Sequence, residues 1–339
     1  MKTAFTAHVG VEIPLICGAM YPCSNPELIA AVSEAGGIGV IQPISMRFVH
    51  GHELRAGIQL IRRLTSKPIG FNAIVEQSSD VYLARMKKWV DIALEEGVRF
   101  FVTALGNPTW VVERVHAAGG IVYHDVTNRR YAEKALSNGV DGLICVNERA
   151  GGHAGQTRPE AMLELADLGV PLVCAGGVGD AQAFREMIDL GYAAAQVGTR
   201  FIATTECRAH QDYKSAIVGA VASDIVLTEK ISGIPVAVIE TEYVRKVGTK
   251  AGFVAKRMLM HPRAKHWMRM IYQMRALWQL KQSSLEGATY RDYFQAGRSV
   301  SGISNIEPAA DIVARFGAAL SPSAPSPEAS RQTNGAGRE

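Results

Sequence analysis

The sequence predicts an α/β fold built from eight strand–helix units, a TIM-type (β/α)8 barrel with a smaller helical subdomain over the barrel mouth. Three observations carry this. Short apolar or β-branched runs recur eight times between residues 14 and 198, an amphipathic window follows each, and no GxGxxG follows the first run. Continuous apolar strands joined by single helices demand parallel pairing with right-handed crossovers, and eight of them close on themselves. Glycine, 33 of 339 residues, suits a chain with many strand-to-helix turns.

In order, the strand candidates are PLICG (14–18), IGVIQ (38–42), PIGFNA (68–73), RFFVTA (99–104), GIVYH (120–124), DGLICV (141–146), PLVCA (171–175) and AAAQVG (193–198). Helices are marked between them: NPELIAAVSEAGG carries Leu28, Ile29, Ala31 and Val32 with Gly36 and Gly37 as its stop, and DAQAFREMIDLG opens on Asp180 as N-cap. After about residue 220 the alternation ends. Residues 250–282 read as one or two helices broken at Pro262, and SNIEPAADIVARFGAAL as a closing helix near residues 307–317. The tail from Ser321 has no large apolar residue and reads as disordered. The expected organisation is a barrel over 1–222, a helical lid over 223–290, a return segment over 291–320 that packs on the barrel, and a disordered tail over 321–339.

With 47% hydrophobic and 20% charged residues, the chain has the apolar content of a folded globule. Residues 243–285 hold ten Lys and Arg and no Asp or Glu, so the remaining 26 basic and 32 acidic residues balance to −6. A basic segment on a mildly acidic body argues against nucleic-acid binding and points to a local anionic partner, such as a nucleotide or an acidic carrier at residues 245–281. The bland reading is equally open: Met258, Met260, Trp267, Met268, Met270, Ile271, Met274 and Trp278 form one buried face while the cations are solvated. Five cysteines without a CxxC pair indicate a reduced, cytoplasmic protein. No stretch has the length and apolarity of a signal peptide or membrane span. No HExxH, His/Cys cluster or paired carboxylate at strand ends marks a metal or glycosidase site.

Barrel chemistry sits where strands end. After the seventh strand comes Ala175-Gly176-Gly177-Val178-Gly179, and after the eighth Gly198-Thr199-Arg200-Phe201. Two glycine-bearing turns, each opening a helix, offer backbone N–H groups to a phosphate. The alternative is that these glycines only make tight turns. After the sixth strand, Glu148-Arg149-Ala150-Gly151-Gly152-His153-Ala154-Gly155 sets one imidazole in a glycine clamp. Imidazole is the side chain suited to proton exchange near neutral pH, although a lone loop His is more often plain surface. Gly18-Ala19-Met20 and Asn72 complete the strand ends, with a thioether and an amide that suit the edge of an aromatic heterocycle, although Met20 alone reads equally as core filler. A phosphate cradle beside a ring-sized clamp points to a phosphorylated flavin or a phosphosugar.

The motifs GAM (18–20), GFN (70–72), AGGHAG (150–155), AGGV (175–178) and QVGTRF (196–201), in that order, resemble the nitronate monooxygenase family, formerly called 2-nitropropane dioxygenases, which are FMN-dependent TIM barrels. The resemblance covers roughly residues 10–215, with a weaker echo at YFQAGRSVSGI (293–303). It implies that Gly18, Ala19, Met20, Asn72 and Gly152 border FMN, that Gly176, Gly177, Gly198 and Thr199 hold its phosphate, that Gly151, Ala175 and Gln196 also belong to the cofactor site, and that His153 faces the substrate. One departure is visible. His124-Asp125 follows the fifth strand, where some members carry a Lys near the cofactor.

The resemblance implies oxidation of alkyl nitronates by O2 to a carbonyl compound and nitrite. Related FMN-dependent enoyl-acyl-carrier-protein and NAD(P)H:quinone reductases share these motifs, so an NAD(P)H-dependent enzyme acting on an enoyl thioester or quinone is the alternative. A non-catalytic flavin-binding barrel leaves the His-bearing clamp without a role. The expected partners are a small-molecule substrate and O2, with a homodimer as a further possibility.

Overall fold

The computed structural model describes residues 2–76, 80–231, 234–250, 280–285 and 293–321. Most of the basic segment, including Pro262, and the tail after Ser321 lie outside them. Eight parallel strands form a closed barrel in sequence order: β1 (Leu15–Cys17), β2 (Ile38–Ile41), β3 (Gly70–Val75), β4 (Phe100–Gly106), β5 (Ile121–Val126), β6 (Gly142–Val146), β7 (Leu172–Ala175) and β8 (Ala194–Val197). Closure is between β1 and β8, with Ile16 opposite Gln196 and Cys17 opposite Val197. The expected barrel is present, strand for strand.

Alternation along the strands separates two cores. Ile16, Ile38, Val40, Val102, Tyr123, Ile144, Val173 and Ala194 face inward. The helix Ala4–Val9 plugs the end of the barrel opposite the mouth with Phe5, whose ring meets Phe100 edge-on at 5.7 Å and Tyr123 at 5.9 Å. The other strand faces, among them Phe71, Phe101, Val122 and Leu143, are buried under the helices. Asp180 caps the helix Ala181–Leu190, accepting from the Ala183 N–H at 2.8 Å. The closing helix spans Ala309–Ala319 and stacks Phe316 on Phe184 at 5.1 Å.

Within the region expected to be a helical lid, the described residues include a β-hairpin. Strands β9 (Ile225–Thr228) and β10 (Val236–Ile239) pair antiparallel, followed by the helix Glu242–Val247. Two β-branched runs, IVLT and VAVI, make this segment pair as a ribbon, with Val236 and Val238 buried beneath it. Ala237 donates its N–H to the Gly152 carbonyl at 2.7 Å, so the hairpin sits on the loop that follows β6. Among the described residues no helix is long and apolar enough to cross a membrane. All five cysteines are buried and unpaired.

Candidate active site

The sites expected from sequence converge at the carboxyl ends of the strands. Gly18 and Gln196 are inward neighbours across the β1–β8 seam: a Cβ on Gly18 would lie 3.0 Å from Gln196 Cγ. Met20 reaches over the turn after β8, its sulfur 3.4 Å from where a Cβ on Gly198 would stand. Ser24 holds that Met in place, its hydroxyl accepting from the Met20 N–H at 2.8 Å. Asn72 is buried on β3 between Phe71 and Ala73, which both face the outer core, so its amide faces the barrel interior. Ala19 packs beside the inner cluster.

The loop after β6 is organised by Asn147, fully buried and overlooked in the sequence. Its Nδ2 donates to the Gly176 carbonyl at 3.0 Å and its Oδ1 accepts from the Arg149 N–H at 2.8 Å. One amide thereby joins the β6 loop to the β7 turn. Gly176 has φ +123°, and a Cβ there would lie 2.5 Å from the Ala150 nitrogen. The glycines therefore serve protein-to-protein packing as well as access. A Cβ on Gly151 would stand 2.9 Å from the Gly297 nitrogen, and one on Gly177 2.9 Å from Arg149 Cδ. Gly152 is different: φ is +69° and nothing comes closer to its missing Cβ than Gln295 Oε1 at 3.8 Å.

A second contribution comes from residues 293–307, within the return segment. Gly297 donates to Thr199 Oγ1 at 3.0 Å, Arg298 donates to the Arg149 carbonyl at 2.9 Å, and the buried Arg200 donates to the Asn305 carbonyl at 2.9 Å. Arg200 also pairs with Glu307 at 3.3 Å. The Arg of the QVGTRF motif is thus an anchor for the returning chain. Tyr213, stacked on Phe294 at 4.7 Å, donates to the Gln295 carbonyl and holds the same segment from outside.

His153 projects from the loop with solvent access, while the surrounding protein still holds its imidazole below the ordinary value through loss of hydration. It is therefore neutral at pH 7, with one ring nitrogen to donate and one to accept. His124 and Asp125 lie within β5, before its end. His124 is buried against Thr103, Nδ1 to Oγ1 2.8 Å, and burial lowers it to about 4. Asp125 is raised to about 7 by burial, and among the described residues its Oδ1 is enclosed without a hydrogen-bond partner. Among the described residues no three His, Cys, Asp or Glu side chains cluster as a metal-ligand set.

These residues fit a flavin mononucleotide. Open faces at Gly152 and Gly198 lie where no Cβ obstructs, and Met20, Asn72 and Gln196 offer a polarisable and two amide contacts.

A family model described as nitronate monooxygenase matches residues 2–317 of this chain. The chain is 28% identical over 260 residues to a (3aS,4S,5R,7aS)-5-hydroxy-7a-methyl-1-oxo-octahydro-1H-indene-4-carboxyl-CoA dehydrogenase of Rhodococcus jostii, covering 75% of this chain and 71% of that protein. It is 29% identical over 277 residues to a nitronate monooxygenase of Pseudomonas aeruginosa, covering 69% and 78% respectively. FabK from Thermotoga maritima superposes with a TM-score of 0.78 at 28% identity, covering 99% of both chains.

Proposed function

The chain belongs to the nitronate monooxygenase family and is an oxidoreductase, and from that premise we propose that it is an FMN-dependent enzyme oxidising alkyl nitronates with O2 to a carbonyl compound and nitrite. The observation that carries this reading is the joining of the His153 loop to the β7 and β8 turns through Asn147 and Gly297. FMN, when bound, supplies the electron acceptor for substrate and the donor for oxygen.

The chain's own residues do the rest. The turns at Gly176-Gly177 and Gly198-Thr199 hold the phosphate. Asn72, Gln196 and Met20 orient the ring from inside the barrel, and the hairpin resting on Gly152 narrows access of water to the mouth. His153, neutral near pH 7, takes the α-proton of a neutral nitroalkane or donates a hydrogen bond to a nitronate oxygen.

A second reading has specific support. Relatives at 28% identity carry a CoA thioester in their names, and FabK superposes over the whole chain. In that reading NAD(P)H reduces the flavin, an enoyl thioester or quinone is the acceptor, and His153 returns a proton. Anaerobic mixing of the FMN-loaded protein with a nitronate, NADH and NADPH tests both. The first reading expects the nitronate to bleach the flavin while the nicotinamides leave it oxidised. Bleaching by NADH or NADPH alone establishes the second.

A further inference from the structure

Asp125 takes no part in the chemistry described so far, yet its position in the barrel gives it one. Along β5 the side chains alternate: Val122 and Val126 enter the outer core, while Tyr123 points into the barrel against Phe5 and Phe100. His124 lies outward with Thr103. Asp125, two residues beyond Tyr123, faces inward one layer nearer the mouth. The barrel below is filled by Phe5, Phe100, Val102, Tyr123 and Ile144, so the carboxyl has only the mouth in front of it.

Its neighbours leave it uncompensated. Ile144 pairs with it on β6, with Val146 the next inward residue. On β4 the inward residues are Val102, which pairs with Tyr123, and Ala104. None of these titrates or carries a charge. Among the described residues, Tyr123 lies one layer below on the same inward face with its phenol pushed up by burial, His124 is turned away into the helix layer, and His153 stands on the loop after β6. Asp125 Oδ1 is buried without a hydrogen-bond partner among the described residues. Burial raises its pKa to about 7, and among the described residues no charged side chain offsets this. A carboxyl that gives up its proton near neutrality, in a site of low polarity, is a charge that appears and disappears over the working pH range.

We propose that Asp125 is a charge switch facing the bound flavin: protonated, it lets the isoalloxazine accept electrons, and ionised, it opposes the negative charge that reduction brings. The proposal rests on the FMN reading above. Its sign follows from the chemistry. The proton is held below about pH 7 and lost above it, so the flavin of the wild-type protein becomes harder to reduce as Asp125 ionises.

The test measures an equilibrium and needs no substrate. Wild-type protein, Asp125→Asn and Asp125→Ser are loaded with FMN and equilibrated anaerobically with an indicator dye of known potential at pH 5.5 and 8.5. Loss of flavin absorbance is read against the dye. At pH 8.5 both variants should favour reduced flavin about tenfold over wild type, about 30 mV for a two-electron couple. At pH 5.5, where wild-type Asp125 is neutral, the difference should be less than about twofold. Equal shifts at both pH values, or none at either, overturn the proposal while leaving the FMN reading intact. Loss of FMN from both variants makes Asp125 a structural residue and overturns it as well. A wild-type chain that takes up no FMN overturns both readings.

Discussion

Asn147 Nδ2 donates to the Gly176 carbonyl at 3.0 Å, and through this bond the loop that carries His153 and the turn after β7 share one buried side chain. Its Oδ1 accepts from Arg149 N–H at 2.8 Å on the other side. Replacing Asn147 with Leu leaves the Arg149 N–H without a partner and the Gly176 carbonyl with only the weak Cys174 thiol donor at 3.7 Å. Each unmet buried group costs about 1–3 kcal/mol, so the variant should lose roughly 2–4 kcal/mol by urea denaturation. FMN affinity should fall with it, by about tenfold or more, because both turns lose their common support. A variant within about 0.5 kcal/mol of wild type would show that Gly297 and Arg298 hold the loops unaided.

The barrel was legible because strands such as β1, β2 and β7 are continuous apolar runs whose two faces are both buried, and such runs read the same way in one dimension as in three. The hairpin was legible in principle and overlooked: IVLT and VAVI are short, and the basic stretch beyond them drew the whole region toward helix. Glycines misled in a different way. A run such as AGGHAG shows where backbone comes close but not to what, and Gly151 and Gly176 turn out to face other loops of the same protein. Asn147 left a faint signal, a single amide ending an apolar strand before a glycine-rich loop.

Gly198 offers a cleaner test of the phosphate site than Gly177. Its φ is −114° and its Cβ position makes only an ordinary 3.4 Å contact with Met20 Sδ, so a side chain there strains nothing. Gly177, at φ +87° and 2.9 Å from Arg149 Cδ, would confuse strain with lost binding. Gly198→Ala should stay within about 1 kcal/mol of wild-type stability. Gly198→Asp adds a negative charge near a phosphate and should weaken FMN by a further tenfold or more, from roughly 1–3 kcal/mol of repulsion. Titration of the apoprotein with FMN, followed by flavin fluorescence, decides it. Equal affinities for Ala and Asp variants would place the phosphate elsewhere.

His153→Ala should keep FMN bound and lower kcat on a neutral nitroalkane by about 10²- to 10⁴-fold, the usual range for a lost general base. With the preformed nitronate there is no α-proton to remove, and the loss should be smaller and fall mainly on KM. The pH profile adds a signature. Burial lowers the imidazole below its ordinary value near 6.5, so the acid limb of the wild-type rate on the neutral nitroalkane should have its midpoint below 6.5. A profile whose midpoint lies at or above about pH 6.5, or a variant with unchanged kcat, would remove His153 from the chemistry.

His124 acts on stability. Buried against Thr103, it stays neutral in the folded chain down to about pH 4, whereas an unfolded imidazole protonates near 6.5. Between those values the unfolded state binds the extra proton, so the folded state loses stability as pH falls from 6.5 toward 4. The full shift corresponds to about 3–4 kcal/mol. Above pH 6.5 neither state holds the proton and the effect is absent. A second histidine, His50, is lowered to about 4 by burial and adds in the same direction. Asp125 opposes them, because its raised pKa makes the folded state the better proton binder between about 4 and 7. A variant with His124→Asn should therefore pay a fixed cost at pH 7.5 for the altered packing but show a flatter acid limb. Urea unfolding at pH 7.5, 6.0 and 4.5 measures this as a wild-type-to-variant difference that shrinks by about 2 kcal/mol at the lowest pH. A difference constant across the three values would mean that His124 is protonated in the folded barrel.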